Sequence, residues 1–92
     1  EYQYGIEKLK KFIQDNLKYP DSLKANNLSG VVYVSLLIDI DGSIKQMNIL
    51  RGFNPEADME ALRVLRMTNK NWKPGERNGK KVATEIIIPV KF

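Results

Sequence analysis

Cysteine and histidine are both missing from this 92-residue sequence. Their absence removes thiolate nucleophiles, thiol-based zinc sites, imidazole bases and every Ser-His or Cys-His pairing. It leaves the redox compartment open, because a chain without cysteine suits an oxidising space without disulfides as well as a reducing one. No apolar run approaches the roughly 20 residues that span a bilayer, and nothing at the start resembles a signal peptide. The sequence opens on Glu1 rather than Met, so a fragment is expected, the soluble end of a longer protein, with residues 1–92 as one domain. Proline (4) and glycine (6) are sparse, and 42% hydrophobic with 28% charged residues excludes disorder, collagen and low-complexity readings. A chain this short supports one core and buries only about 60 to 65% of its extended surface.

Fifteen cations against eleven anions leave +4, and the excess is uneven. Arg63, Arg66, Lys70, Lys73, Arg77, Lys80 and Lys81 stand in one stretch against Glu76 alone. Such a stretch attracts phosphates or anionic headgroups, or else forms the solvated face of a helix end and loop.

Ile6, Leu9, Ile13 and Leu17 recur at spacings of three and four, which predicts an amphipathic helix over Ile6–Lys18. Tyr19-Pro20 stops it, because the residue before a proline is pushed out of the helical region. Asp21–Asn27 is read as a further short helical turn, and Asn26, Asn27 and Gly30 as a loop. From Val31 to Ile40 the period changes to two, with Val32, Val34, Leu36, Ile38 and Ile40 on one face. Val31, Tyr33 and Leu37 on the other face suggest a central strand partly covered on both sides. Asp41-Gly42 signals a hairpin into a second strand, Ser43–Arg51. There Ile44 and Met47 share the core face only if a bulge intervenes.

Asn54 is a natural N-cap, Pro55 suits the first helical position, and Glu56 and Asp58 complement the helix dipole. This second helix buries Ala57, Ala61, Leu62 and Leu65 and ends near Thr68. Asn69–Lys81 is predicted as a polar loop punctuated by Pro74-Gly75 and Asn78-Gly79. Trp72 within it plugs the side of the core or contacts a ligand, and a lone Trp beside a turn usually packs. Val82–Phe92 reads as the third strand. Pro89 has no N–H to give a neighbour, which places that strand at a sheet edge with the missing donor outward.

The order helix, strand, strand, helix, strand implies an α+β two-layer sandwich: a three-stranded antiparallel sheet in the order 2-1-3 with two helices packed on one face. If Pro89 faces outward, Ala83, Glu85 and Ile87 do too. The segment Ala83, Thr84, Glu85, Ile86, Ile87 and Ile88 then forms a candidate peptide-binding edge, where an extended peptide adds a fourth strand. Two alternatives use the same groups: a short edge made safe by Glu85, Pro89, Lys91 and twist, or a homodimer joined through the last strand.

Tyr19-Pro20, Gly30 with Val31 to Val34, Asp41-Gly42, Ala61-Leu62, Trp72-Lys73-Pro74-Gly75, Asn78-Gly79 and the closing Pro89 to Phe92 together resemble the C-terminal domain of TonB-family energy transducers, in order and spacing, over roughly residues 12–92. The resemblance implies a periplasmic domain that captures the TonB box of TonB-dependent outer-membrane receptors beside its last strand. It also implies an inner-membrane anchor and a proline-rich spacer absent from this chain, and work with the ExbB and ExbD motor proteins. Similar domains end other membrane-anchored proteins, including sensor-type peptidases.

Against an enzyme, Asp39, Asp41 and Glu85 are the only carboxylates the pattern brings near one another, and no catalytic residue, cofactor or metal is expected. Asp39 to Gly42 fails as a calcium loop, because the EF-hand needs glycine at position six and glutamate at twelve. A nucleic-acid module would use the basic stretch with Trp72 and Tyr33 as stacking platforms. The RNP-type spacing is missing, and no nucleic acid is expected as partner.

Overall fold

Alternation in the most apolar segment makes it the middle of the sheet. In the computed structural model, which describes all 92 residues, that segment is β1 (Val31–Ile38), flanked on one side by β2 (Ile44–Arg51) and on the other by β5 (Thr84–Lys91). All pairing is antiparallel, and the order is the expected 2-1-3. The other elements are α1 (Ile6–Asn16), α2 (Asp21–Ala25), α3 (Pro55–Arg66), β3 (Gly75–Arg77) and β4 (Lys80–Val82). A third, five-residue helix, α2, thus joins the two main helices, where the sequence predicts a helical turn.

Val32, Val34, Leu36 and Ile38 on one face of β1 are buried, together with Leu9 and Ile13 of α1 and Ala57, Ala61, Val64 and Leu65 of α3. Spacings of four, three and one along α3 put its four buried residues on one stripe. Two of them are alanine, so the helix axis can lie close to the sheet. Asn54 caps this helix as expected, its side chain accepting from the N–H of Glu56 and of Ala57. The other sheet face carries no helix: Val31 and Leu37 are half-buried, while Tyr33 and Ile87 are exposed.

Several boundaries differ from expectation, each for a physical reason. β1 stops at Ile38 because the Asp39 N–H donates to Ser43 and the Gly42 N–H to Asp39, so the chain is already turning and Ile40 is exposed. Gly42 has φ 85°, and a Cβ there would lie 2.5 Å from the Trp72 carbonyl oxygen. Glycine is thus required twice over. A bulge leaves Lys45 without a partner between the Leu37–Gln46 and Ile38–Ile44 pairs, and a second leaves out Leu50. The first lets Ile44 and Met47 both pack on the core. Ile6, expected on the buried stripe of α1, is exposed.

Two larger corrections concern the loop and the last strand. Asn69–Lys81 is not loop throughout: β3 and β4 pair as a hairpin around Asn78 and Gly79, both at positive φ. Accordingly Val82 belongs to β4, Ala83 lies between the strands, and the last strand begins at Thr84. The first residues also fold onto the body, with Tyr2 bridging to Trp72 and the Glu1 and Lys73 backbones exchanging hydrogen bonds.

α3 is tied to the end of α1 by one partly buried cluster. Arg63 Nε donates to Glu60 at 2.6 Å, Arg63 Nη2 donates to the Asn16 carbonyl at 2.8 Å, and Glu60 also accepts the Lys18 N–H. The Arg63 guanidinium, and after it the Lys18 N–H, hold the Glu60 carboxyl below the usual carboxylate range. Its contribution to stability is therefore complete above the unfolded value of about 4.3 and is lost as pH falls through the folded value. Urea melts should show Glu60→Gln less stable than the parent near neutral pH, with the gap closing on acidification. A gap that widened at low pH would contradict this assignment. Leu36→Ala should lower unfolding free energy by about 2 to 5 kcal/mol in the same assay.

Candidate functional site

In an antiparallel ladder each residue turns its N–H and C=O to one neighbour only, and the direction alternates along the strand. Gly30 and Phe92 fix that direction for β5, because they exchange both bonds, at 3.2 and 2.9 Å. Counting back by twos, Val90, Ile88, Ile86 and Thr84 face β1, opposite Val32, Val34, Leu36 and Ile38. Lys91, Pro89, Ile87 and Glu85 face outward. No strand lies beyond β5, and no hydrogen bond from a loop or side chain reaches these four residues. Pro89 occupies a position where a lost donor breaks nothing in the sheet.

The outer edge thus presents the N–H groups of Glu85, Ile87 and Lys91 and the carbonyls of all four residues along about 20 Å of strand. Ile88 and Val90 are buried on the helix side, whereas Ile87 is 55% exposed on the open side. A strand laid against this edge would meet Ile86 and Ile88 on one face and Glu85, Ile87 and Pro89 on the other. Of the six residues expected to form the edge, Thr84 to Ile88 belong to β5 and Ala83 does not. Thr84 instead anchors the preceding hairpin: its Oγ1 accepts the Gly75 N–H at 2.8 Å and donates to the Val82 carbonyl at 3.1 Å.

The remaining motif residues hold the two ends of the sheet. At one end the Tyr19 hydroxyl donates to the Leu28 carbonyl, and its ring lies edge-on to Phe92, which in turn meets Phe53 edge-on. Gly30 sits beneath the Phe53 ring so closely that a Cβ would approach it to 2.9 Å. Pro20 leads into α2. At the other end Trp72 is only 4% exposed, donates from Nε1 to Thr68 Oγ1 at 2.8 Å and stacks edge-on with Tyr2. Trp72 is therefore a core residue and no platform for a base. Asp41 Oδ1 accepts the Ser43 hydroxyl and N–H, and these bonds hold its carboxyl below the usual range. Pro74 and Gly75 open the β3–β4 hairpin, and Asn78 and Gly79 form its tip.

Neither Phe53 nor Tyr2 is marked by any sequence pattern: each is a single aromatic whose partners lie far along the chain. The Asn78-Gly79 pair was the available signal for the hairpin. A shallow groove runs between Lys18–Asp21 and the exposed side of α3, lined by Tyr19, Pro20, Met59 and Arg66 among others. No cluster of acidic residues suited to a metal ion occurs, and no helix is long and apolar enough to cross a membrane.

A family model described as "Gram-negative bacterial TonB protein C-terminal" matches residues 15–92. Among solved structures, a solution NMR structure of the Helicobacter pylori TonB C-terminal domain is 22% identical and superposes with a TM-score of 0.73, covering 94% of this chain and 89% of that one. A longer stretch of the same domain, also solved by NMR, is 21% identical with TM-score 0.73, covering 99% and 86%. These likenesses show the shared fold. No curated protein sequence matches the chain.

Proposed function

The chain belongs to the family of Gram-negative bacterial TonB C-terminal domains, and from that premise we propose that the outer edge of β5 captures the TonB box of a TonB-dependent outer-membrane receptor by β-strand addition. The family is one of periplasmic transducers rather than enzymes. In this reading the domain stands in the periplasm, anchored to the inner membrane through a further segment. Through that segment it works with ExbB and ExbD to couple the proton gradient to transport.

The observation that supports the reading is the row of unpaired main-chain groups at Glu85, Ile87 and Lys91, with Pro89 among them on an edge that nothing covers. An uncovered, partly apolar edge is a liability unless a partner strand completes it. Backbone bonds supply affinity with little sequence demand, and the side chains on both faces supply selectivity. The geometry also suits a mechanical task. Each bond is worth only about 0.5 to 1.5 kcal/mol net in water, yet a pull parallel to the strands loads all of them together. Force can be transmitted through a complex of modest equilibrium affinity.

Ile87→Pro removes one outward N–H and no bond inside the sheet. Titration with a synthetic TonB-box peptide should show binding weakened about tenfold, near 1.4 kcal/mol, while the urea midpoint changes little. On peptide addition, amide exchange at Glu85, Ile87 and Lys91 should slow. Equal losses of binding and stability, or unchanged exchange, would remove the site from β5. Light scattering checks the alternative use of the edge: a homodimer joined through β5 that peptide does not dissociate would mean that the edge serves a second copy.

A further inference from the structure

The β3–β4 hairpin stands off the body of the protein. Its three pairs, Gly75–Val82, Glu76–Lys81 and Arg77–Lys80, pack chiefly on one another, and beyond the Gly75–Thr84 contact at the base no helix or strand lies extensively against them. The long axis of the molecule is 50 Å, nearly twice the roughly 27 Å of an eight-residue strand. Its radius of gyration is 14.0 Å, against about 12 Å for a compact chain of this length. The hairpin is fastened at its base by Thr84, and every residue from Glu76 to Ala83 is exposed.

What this arm offers is charge. It carries Arg77, Lys80 and Lys81, with Lys73 at its root, against Glu76. The protein's three ion pairs lie elsewhere, at Glu7–Lys10, Lys11–Asp15 and Glu60–Arg63; in the arm Glu76 stands opposite Lys81 without closing an ion pair, and Arg77 and Lys80 have no carboxylate across from them. Arg77 and Lys80 are direct cross-strand partners on one face, and like charges so placed destabilise a hairpin. Burial does not compensate, because Val82 is the arm's only large apolar side chain and it is exposed. An anionic guest would relieve this repulsion.

The arm is joined to the free edge by a single residue, Ala83. Lys81 is four residues from Glu85, the first outward-facing position of β5, or about 13 Å of extended chain. A segment zipped along Glu85 to Lys91 that continues past Thr84 heads toward the root of the arm at Ala83, whereas at the opposite end the strand itself carries one cation, Lys91. We propose that the hairpin is a cationic arm that binds the carboxylates of an acidic stretch flanking the strand-added segment of the partner, at whichever end of that segment lies beside Thr84. The inference rests on the strand-addition reading and names the chemistry of the partner's neighbouring residues.

Three synthetic peptides share one extended Val/Thr-rich core of about ten residues and carry Asp-Glu-Asp before it, Asp-Glu-Asp after it, or Asn-Gln-Asn at both ends. Their affinities are measured at low salt and at about 0.5 M salt, where surface charges are screened. One acidic peptide should bind about three- to tenfold more tightly than the neutral one at low salt. That advantage should vanish at high salt and in the Arg77→Gln/Lys80→Gln protein and persist in Lys91→Gln. The neutral peptide should bind parent and double variant alike. Three equal affinities with slowed exchange at Glu85 and Ile87 would overturn the arm while leaving strand addition intact. Absence of any slowed exchange would overturn both. An acidic advantage that survives the double substitution would overturn the arm, as would phosphatidylglycerol vesicles being retained through Arg77 and Lys80 when no peptide discriminates.

Discussion

A residue in a β-strand has one side on which to spend both its backbone polar groups, and the reciprocal Gly30–Phe92 pair determines that side for all of β5. Shift the register by one residue and Pro89 would face β1, where a missing donor breaks the ladder, while Val90 and Ile88 would lose the core. Burial, hydrogen bonding and the proline's chemistry therefore demand the same register. The free edge is a by-product of that agreement: whatever faces outward on the last of three strands has no partner within the chain.

The rest of the structure keeps this register from slipping. Tyr19, Phe53 and Phe92 meet edge to edge at one end, over a glycine that leaves room for the ring. At the other end the β1–β2 turn lies against the Trp72 backbone, and Trp72 is itself wedged between Thr68 and Tyr2. The Glu60–Arg63 cluster fastens the two long helices over the buried face. These contacts leave the outward side of β5 untouched, so the strand is held at both ends while its outer edge stays open.

Much of this was readable from residue order because local signals and tertiary demands coincide. The alternation in Val31–Ile38, the Asn54-Pro55 helix start, the Asp41-Gly42 turn and the outward Pro89 each have a local physical cause, and each stands where that cause predicts. The β3–β4 hairpin was not readable in the same way. Its strands hold charged residues and no apolar face, so only the Asn78-Gly79 turn marked it. The bulge at Lys45 was legible as a condition, since Ile44 and Met47 could not otherwise share a face. The place of Tyr2 against Trp72 depends on a contact across seventy residues that no periodicity encodes.

The two sides of the sheet are unequal in one further respect. Along β2 the bulges at Lys45 and Leu50 interrupt the even spacing of donors and acceptors, and the Ile44 N–H is already taken by the Asn69 side chain at 2.8 Å. A regular strand cannot zip along such a margin, so the sheet has one side with a regular row of unpaired groups and one that is irregular. Pairing between copies of this chain is therefore self-terminating. Once the competent side is filled by a second copy, both outer margins of the joined sheet are β2, and neither an open-ended stack nor a fibre can propagate from it.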